Sequence, residues 1–418
     1  MTILNKKSGY YRLHTSFVSE TNYIGSYHWR FPTITEHNDN FFFHVWDDSE
    51  HDYWFIDIFN GNAFDSYPIE TIIPEDILTK IWNKEVFLLV VNTHEGYHHP
   101  VVGIYLDLII RANIPEEQII LVSESADIAK EVEAVSKKYN RQPIKVEWMR
   151  IFEANTQKEM LTNRIPTPTT LEDKPYDKKF LSFNRHMMPH GRLHRGSLIA
   201  LLCAMNLLDY GYVSAGMFWE YPTWTDILDE HGTYGLYSLH KDNPEIMKLI
   251  TDNKDKILNM GKLVIDADYE VLLERNNARI LPTTDYFYSN SYFSVVTETN
   301  CFAKGIHVGE MLPPGRQLSE KTFKPIGLKH PFILVAPANT LDILKDIGYK
   351  TFSPWIDESY DNETDESARM LLIVKEIKRL CELSPAELTE FLNNVREICN
   401  YNYNMLLSKT SFATKLNY

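Results

Sequence analysis

Four groups of residues have the types and spacing to do chemistry. In the first, Thr297, Glu298 and Thr299 close an apolar run at 293–296, and Ser319, Glu320 and Lys321 follow in a second segment. Ser319 suits the N-cap of a helix opened by Glu320 and Lys321. Pro325 and Gly327 keep that helix short. Helix N-terminal N–H groups and one lysine suit a phosphate, and one carboxylate suits ribose hydroxyls. An exposed helix start is the plain alternative, because Glu320 there already suits the helix dipole. Glu298 ends a buried strand, where an idle carboxylate is costly. A partner is therefore expected: Arg185 or Arg195 could serve, or those arginines could bind phosphate directly.

The second group is a basic stretch. From Lys178 to Leu208 there is no acidic residue, but there are Lys178, Lys179, Arg185, Arg192, Arg195 and three histidines. It lies at a strand-to-helix turn, where an anion is expected; a solvated basic turn is the alternative. The third group, His94-Glu-Gly-Tyr-His98, matches the zinc-protease pattern H-E-x-x-H. That chemistry needs both histidines on one helix. Here Gly96 and Pro100 put the motif in the turn before a helix, where it could also simply cap that helix. The fourth, Asp266-Ala-Asp268, has the Asp-x-Asp form of some metal sites. A lone match of this kind carries little information.

The elements that must position these residues read as two parallel-sheet halves. Apolar strands at 86–91, 118–122 and 144–148 alternate with helices at 100–112 and 126–139. Residues 164–175, RIPTPTTLEDKP, read as a linker. Beyond it come a strand at 179–183 and an apolar helix at 196–208. Strands at 293–296, 332–335 and 350–352 then alternate with helices from Ser319 and at 340–347. A helix spans 244–260, and the aromatic stretch 217–224 reads as packing. The chain is helical from 366, with a capping box at Ser384-Pro-Ala-Glu387. The polar tail 408–418 is expected to pack across the domains or fray. Residues 1–75 hold 17 aromatics, denser than the 13% of the whole chain. With strands at 41–46 and 53–59 and a turn at Asn60-Gly61, they read as a β layer; a sugar-stacking platform is the sharper alternative.

Composition excludes several classes. A length of 418 residues allows two domains. The net charge of −15 argues only weakly against a duplex-DNA binder and leaves room for a local basic cleft. Cys203, Cys301, Cys381 and Cys399 have no metal-ligand spacing, which fits a reduced compartment. The N-terminus MTILNKKSGYYRL is polar and no apolar run approaches membrane-spanning length. A cytoplasmic protein without membrane partners is therefore expected.

The segments TET, SEKTFKPI and HPFILVAP resemble the donor-binding half of GT-B glycosyltransferases. Among these, the chain is similar to the α1,3-fucosyltransferase family, in which a strand with an acidic end precedes a Thr/Ser-Glu-Lys helix start. It also resembles glycosyltransferase-like proteins of phages and large viruses, in which SEKTFKPI and a later W-I-D-E-S-Y-D (here 355–361) recur. A viral origin would make the cytoplasm that of a host. The resemblance covers 178–200 and 292–361. It implies an α/β protein of two Rossmann-like domains in the GT-B arrangement, with the aromatic β layer at the N-terminus and helices at the C-terminus. The domains would be 1–165 on the acceptor side, 176–380 for the nucleotide sugar, and the C-terminal helices 381–418. It further implies inverting transfer from a nucleotide diphosphate sugar to a glycan or other hydroxyl acceptor, with no metal and no cofactor beyond that co-substrate. Glu320 and Lys321 correspond to the family's pair for ribose and diphosphate. Arg185, Arg192 and Arg195, with Glu298 and Ser319, would complete the donor site. A carboxylate base from the first domain is implied, for which Glu95 is the candidate, with His94 or His98 behind it. Asp357 and Glu358 could simply cap and order their loop. Two rival readings are a viral-type glycosyltransferase of hydroxymethylated DNA bases and a catalytically inactive carbohydrate-binding protein.

Overall fold

A computed structural model of the chain describes residues 52–57, 73, 75–92, 100–162, 176–184, 187, 192–215, 223–229, 235–261, 263, 282–301, 315–410 and 413–416. It is a mixed α/β protein of two units, 1–151 with 410–418, and 152–409. The expected strand at 41–46, the turn at 60–61, the linker at 164–175 and most of 217–224 lie outside the described residues.

In the first unit, β1 (Asp52–Asp57), β2 (Val86–Asn92), β3 (Ile119–Ser123) and β4 (Lys145–Met149) pair in chain order, all parallel. The apolar run of β3 is buried along its whole length, as in a parallel sheet covered on both faces. Helix α1 (Glu75–Trp82) turns Ile77, Leu78 and Ile81 inward. Helix α2 (Pro100–Gly103) begins on proline. The single α-helix expected over 100–112 needs correction. From Ile104 to Arg111 the winding widens to i→i+5, and the Ala112 N–H reaches the Asp107 carbonyl at 3.0 Å. Ile104, Tyr105, Leu108 and Ile109 are all buried in this wider turn. The Tyr105 hydroxyl donates to the Gln142 carbonyl at 2.8 Å and accepts the Ile144 N–H at 3.2 Å. Burial pushes this phenol up to about 12. Helix α3 (Ile128–Tyr139) stops at Asn140, whose left-handed φ of 52° lets its N–H close on the last carbonyls. The tail crosses from the second unit to the first, as expected, but as a strand and not as part of the C-terminal helices 381–418. Ala413–Leu416 forms β9, which pairs antiparallel with β4 and covers its edge.

In the second unit the sheet order is β6-β5-β7-β8, all parallel. The strands are β5 (Lys178–Asn184), β6 (Gly211–Ala215), β7 (Ser291–Thr297) and β8 (Phe332–Val335). The order reverses at β5, whose neighbours are β6 on one side and β7 on the other. Helix α4 (Ile151–Leu161) precedes this sheet, and α5 (Leu193–Ala204) follows β5 with every residue buried. The helix expected over 244–260 is broken at Asn253 into Pro244–Asp252 and Lys254–Leu258. Beyond β7 come α6 (Glu320–Gly327), α7 (Thr340–Asp346), α8 (Glu366–Glu382) and α9 (Pro385–Ser408). Phe180 and Phe293 stack at 5.9 Å between β5 and β7. Ile333 and Leu334 of β8 and Met370, Ile373, Val374 and Ile377 of α8 are buried as well. Helix α9 opens with the expected box, the Ser384 hydroxyl accepting the Glu387 N–H while the Glu387 carboxylate accepts the Ser384 N–H.

The third strand expected at 350–352 does not form, and β8 is the last strand of the described sheet. Side chains satisfy this backbone instead. Asn402 accepts the Lys350 N–H at 2.9 Å and donates to the Lys350 carbonyl at 2.8 Å. Glu358 accepts the Phe352 N–H at 2.6 Å. With both ends of the segment bonded to side chains, a ladder partner is not needed.

Candidate functional site

The carboxyl ends of β5 and β7 flank the point where the strand order reverses, the place where open parallel sheets bind ligands. Polar side chains tie these strand ends together. The Thr297 hydroxyl donates to the Asn184 Oδ1 at 2.8 Å, and the Asn184 N–H donates to the Ser214 hydroxyl at 3.1 Å. All three residues are buried. Their polarity inside a sheet core is tolerable only because they are mutually bonded.

Glu298, 1% exposed, follows β7 directly. Its backbone N–H still joins β8, through the Val335 carbonyl at 3.0 Å. The expected arginine partner for its carboxylate is corrected by the geometry. The carboxylate accepts the Ser319 N–H at 2.9 Å, the Ser319 hydroxyl at 2.6 Å and the Thr322 hydroxyl. Arg195 instead donates to the Glu298 main-chain carbonyl at 3.2 Å. The start of α6 offers N–H and hydroxyl donors together, and a negative charge there also meets the positive end of the helix dipole. Glu298 therefore locks α6 onto the end of β7.

Ser319 is the N-cap of α6, its hydroxyl accepting the Lys321 N–H at 3.3 Å. The Lys321 ammonium donates to Thr299 Oγ1 and Ser319 Oγ, each at 3.2 Å, and to Glu320 Oε1 at 2.9 Å. Its side chain is 24% exposed, against 1% for Thr299. The geometry thus presents a partly exposed cation and carboxylate above a buried threonine–serine floor.

The start of α5 contributes Arg192, His194 and Arg195, all buried. His194 Nε2 lies 2.9 Å from the Glu298 carbonyl, so it carries the proton on that nitrogen. Burial, and then the charges of Arg195, Arg192 and Arg369, hold this imidazole well below its usual range, so it stays neutral. Arg369 of α8 donates to the Cys301 carbonyl at 3.0 Å and the Glu363 carbonyl at 2.8 Å. Arg195 of α5 and Arg369 of α8 therefore both donate to the loop after β7.

The W-I-D-E-S-Y-D segment has a structural role beside this site. Asp357 caps the short 3₁₀ turn Glu358–Asn362. The Tyr360 hydroxyl accepts the Leu334 N–H of β8 at 3.2 Å. Asp361 accepts the Thr340 and Leu341 N–H groups, both at 3.1 Å, and so caps α7.

Ser319, Glu320, Lys321, Glu298, Arg192 and Arg195 are thus drawn to one end of the second unit's sheet. Arg185, Glu95, His94, His98, Asp266 and Asp268 lie outside the described residues. Among the described residues no group of three or more His, Cys, Asp or Glu side chains could hold a metal, and no helix is long and apolar enough to cross a membrane.

Sequence reasoning missed three contributors. His194 was counted within a basic run rather than as a neutral hydrogen-bond donor, and Asn184 ends an apolar strand. Arg369 sits in an ordinary amphipathic helix far along the chain from Cys301, with no local signal. In the first unit a further carboxylate, Glu124, is buried just beyond β3, its carbonyl accepting from Trp148 Nε1 at 3.1 Å. A scan against protein-family models finds no match to the sequence, and a search of curated proteins finds none either.

Proposed function

We propose that the second unit binds a nucleotide diphosphate sugar and that the protein is an inverting, metal-independent glycosyltransferase of GT-B type, with two Rossmann-like domains. The observation that carries the reading is Lys321. It is a partly exposed ammonium at the start of a capped helix, beside the point where a parallel sheet reverses its order. In this reading Lys321 exchanges its bond to Glu320 for a phosphate oxygen, and Glu320 turns to the ribose hydroxyls. Arg192 and Arg195, buried at the start of α5, add positive potential that favours a diphosphate leaving group, and Arg185 joins them. Glu95 takes the proton of the acceptor hydroxyl as its oxygen attacks the anomeric carbon.

Replacing Lys321 by Ala tests the donor half. The variant is expected to weaken binding of a nucleoside diphosphate by about 1.5–3 kcal/mol, the range for a hydrogen bond to a charged group. The parent nucleoside, without phosphates, is expected to bind both proteins alike. Calorimetry with UDP and GDP, each beside its nucleoside, reads both. Equal diphosphate affinity in the two proteins would remove Lys321 from the site.

A further inference from the structure

The loop after β7 is held by side-chain donors on its main-chain oxygens, one a neutral imidazole and two guanidinium groups. His194 and Arg195 grip the Glu298 carbonyl at 2.9 and 3.2 Å. Arg369 grips the Cys301 carbonyl at 3.0 Å. From the other side, Cys301 Sγ donates to the Ala336 carbonyl at 3.3 Å. Between the gripped carbonyls lies Thr299, whose hydroxyl receives the Lys321 ammonium.

Arg369 is poorly accounted for as a stabilising residue alone. It is 3% exposed, and its Nε has no acceptor among the described residues. A buried guanidinium bonded to two neutral carbonyls, with no carboxylate hydrogen-bonded to it among the described residues, carries a desolvation cost that an apolar side chain would avoid. Its two bonds reach Glu363, ahead of α8, and Cys301, after β7, so one planar group ties two loops.

The geometry points to Arg369 as a positioning residue for the donor site. By fixing Cys301 while His194 and Arg195 fix Glu298, it sets where Thr299 holds the Lys321 ammonium for the donor diphosphate. This rests on the donor-binding reading above. Lysine at 369 keeps the charge but lacks the planar fork that spans both carbonyls.

The test compares wild type, Arg369→Lys and Arg369→Gln. Arg379→Gln serves as the control, because Arg379 lies on the same helix and pairs with Glu376 at 2.6 Å. UDP, GDP and their nucleosides are the probes. In Arg369→Lys, the ratio of diphosphate to nucleoside affinity is expected to fall about tenfold, and the control is expected to keep it. A merely structural arginine would lower melting temperature and leave the ratio alone. Amide exchange at Glu298 and Thr299 is expected to quicken in both Arg369 variants. Exchange within 298–301 that matches wild type, or an unchanged ratio in a wild-type background that binds diphosphate, overturns the positioning role while sparing the donor reading. A wild type that binds no nucleoside diphosphate overturns both.

Discussion

Asp361 has its carboxyl held by two backbone N–H groups at the start of α7, yet burial pushes its pKa up to about 6 from 3.8. The folded state then holds this proton more tightly than the unfolded chain. The stability contributed by this group is full below about pH 4 and is lost as pH rises through about 6. Asparagine cannot titrate and keeps one acceptor for the same N–H groups. The difference in unfolding free energy between wild type and Asp361→Asn is therefore expected to change by roughly 1–3 kcal/mol between about pH 4 and 6, and to be flat above. Glu358 nearby is also pushed up by burial, but it is present in both proteins and cancels in the difference. Urea titrations at several pH values read this directly; a flat difference across the window would show an unshifted carboxyl. At this scale the sequence was legible where a residue acts on its neighbours, as Ser319 and Lys321 do. It was not legible for Glu298, because the choice between arginine and hydroxyl partners depends on which side chains arrive from elsewhere in the chain.

At the scale of elements, the segment after α7 behaves as a strand in sequence and as a loop in space. Its apolar and β-branched residues match a strand pattern, but Asn402 of α9 meets both backbone groups of Lys350. The Tyr401 hydroxyl donates to the Gly348 carbonyl at 3.1 Å, and Gly348 itself has a φ of 96°, which favours glycine. Asn402→Ala removes one donor and one acceptor and breaks both bonds to the Lys350 backbone. It is expected to destabilise the protein by about 1–3 kcal/mol, two lost hydrogen bonds at about 0.5–1.5 kcal/mol each. Denaturant unfolding measures it, and a change below about 0.5 kcal/mol, typical of surface substitutions, would mean that water replaces the amide freely.

For the whole molecule, the chain passes between its two units twice, near residues 151 and 410. Both crossings are fastened to the second unit at one place. Gln157 of α4 donates to the carbonyls of Leu406, Leu407 and Lys409, and the Lys409 ammonium pairs with the fully buried Glu153 at 2.8 Å. The Tyr349 hydroxyl completes that carboxylate at 2.6 Å. These bonds are why α4 packs with the second unit, although the sequence places the linker after it. The proposed function, with its base in the first unit and its donor site in the second, makes a prediction about catalysis. Glu95→Gln, in the first unit, is expected to lower kcat by about 10² to 10⁴, the usual contribution of a general base. Nucleotide affinity, which the proposed function assigns to the second unit, is expected to stay within roughly twofold, as for distant independent sites. Steady-state transfer rates beside nucleotide titrations separate the two. Near-normal transfer by a folded variant would move the role first to His94 or His98, then to a carboxylate of the aromatic N-terminal layer.

What the sequence determined by itself was local. Apolar runs set the strands, proline, glycine and capping residues set the ends of α2, α6 and α9, and the spacing of Ser319, Glu320 and Lys321 set the helix start they share. Each of these depends on interactions within a few residues, so composition and period suffice to read them. Tertiary structure alone decided the strand order that brings β5 beside β7, the antiparallel capture of the tail by β4, the loss of a strand at 350–352 to Asn402, and the convergence of Arg195 and Arg369 on one loop. Each of those pairs groups far apart in the chain. The pairing rests on which buried donor meets which buried acceptor once the core has closed, and no local pattern carries that information.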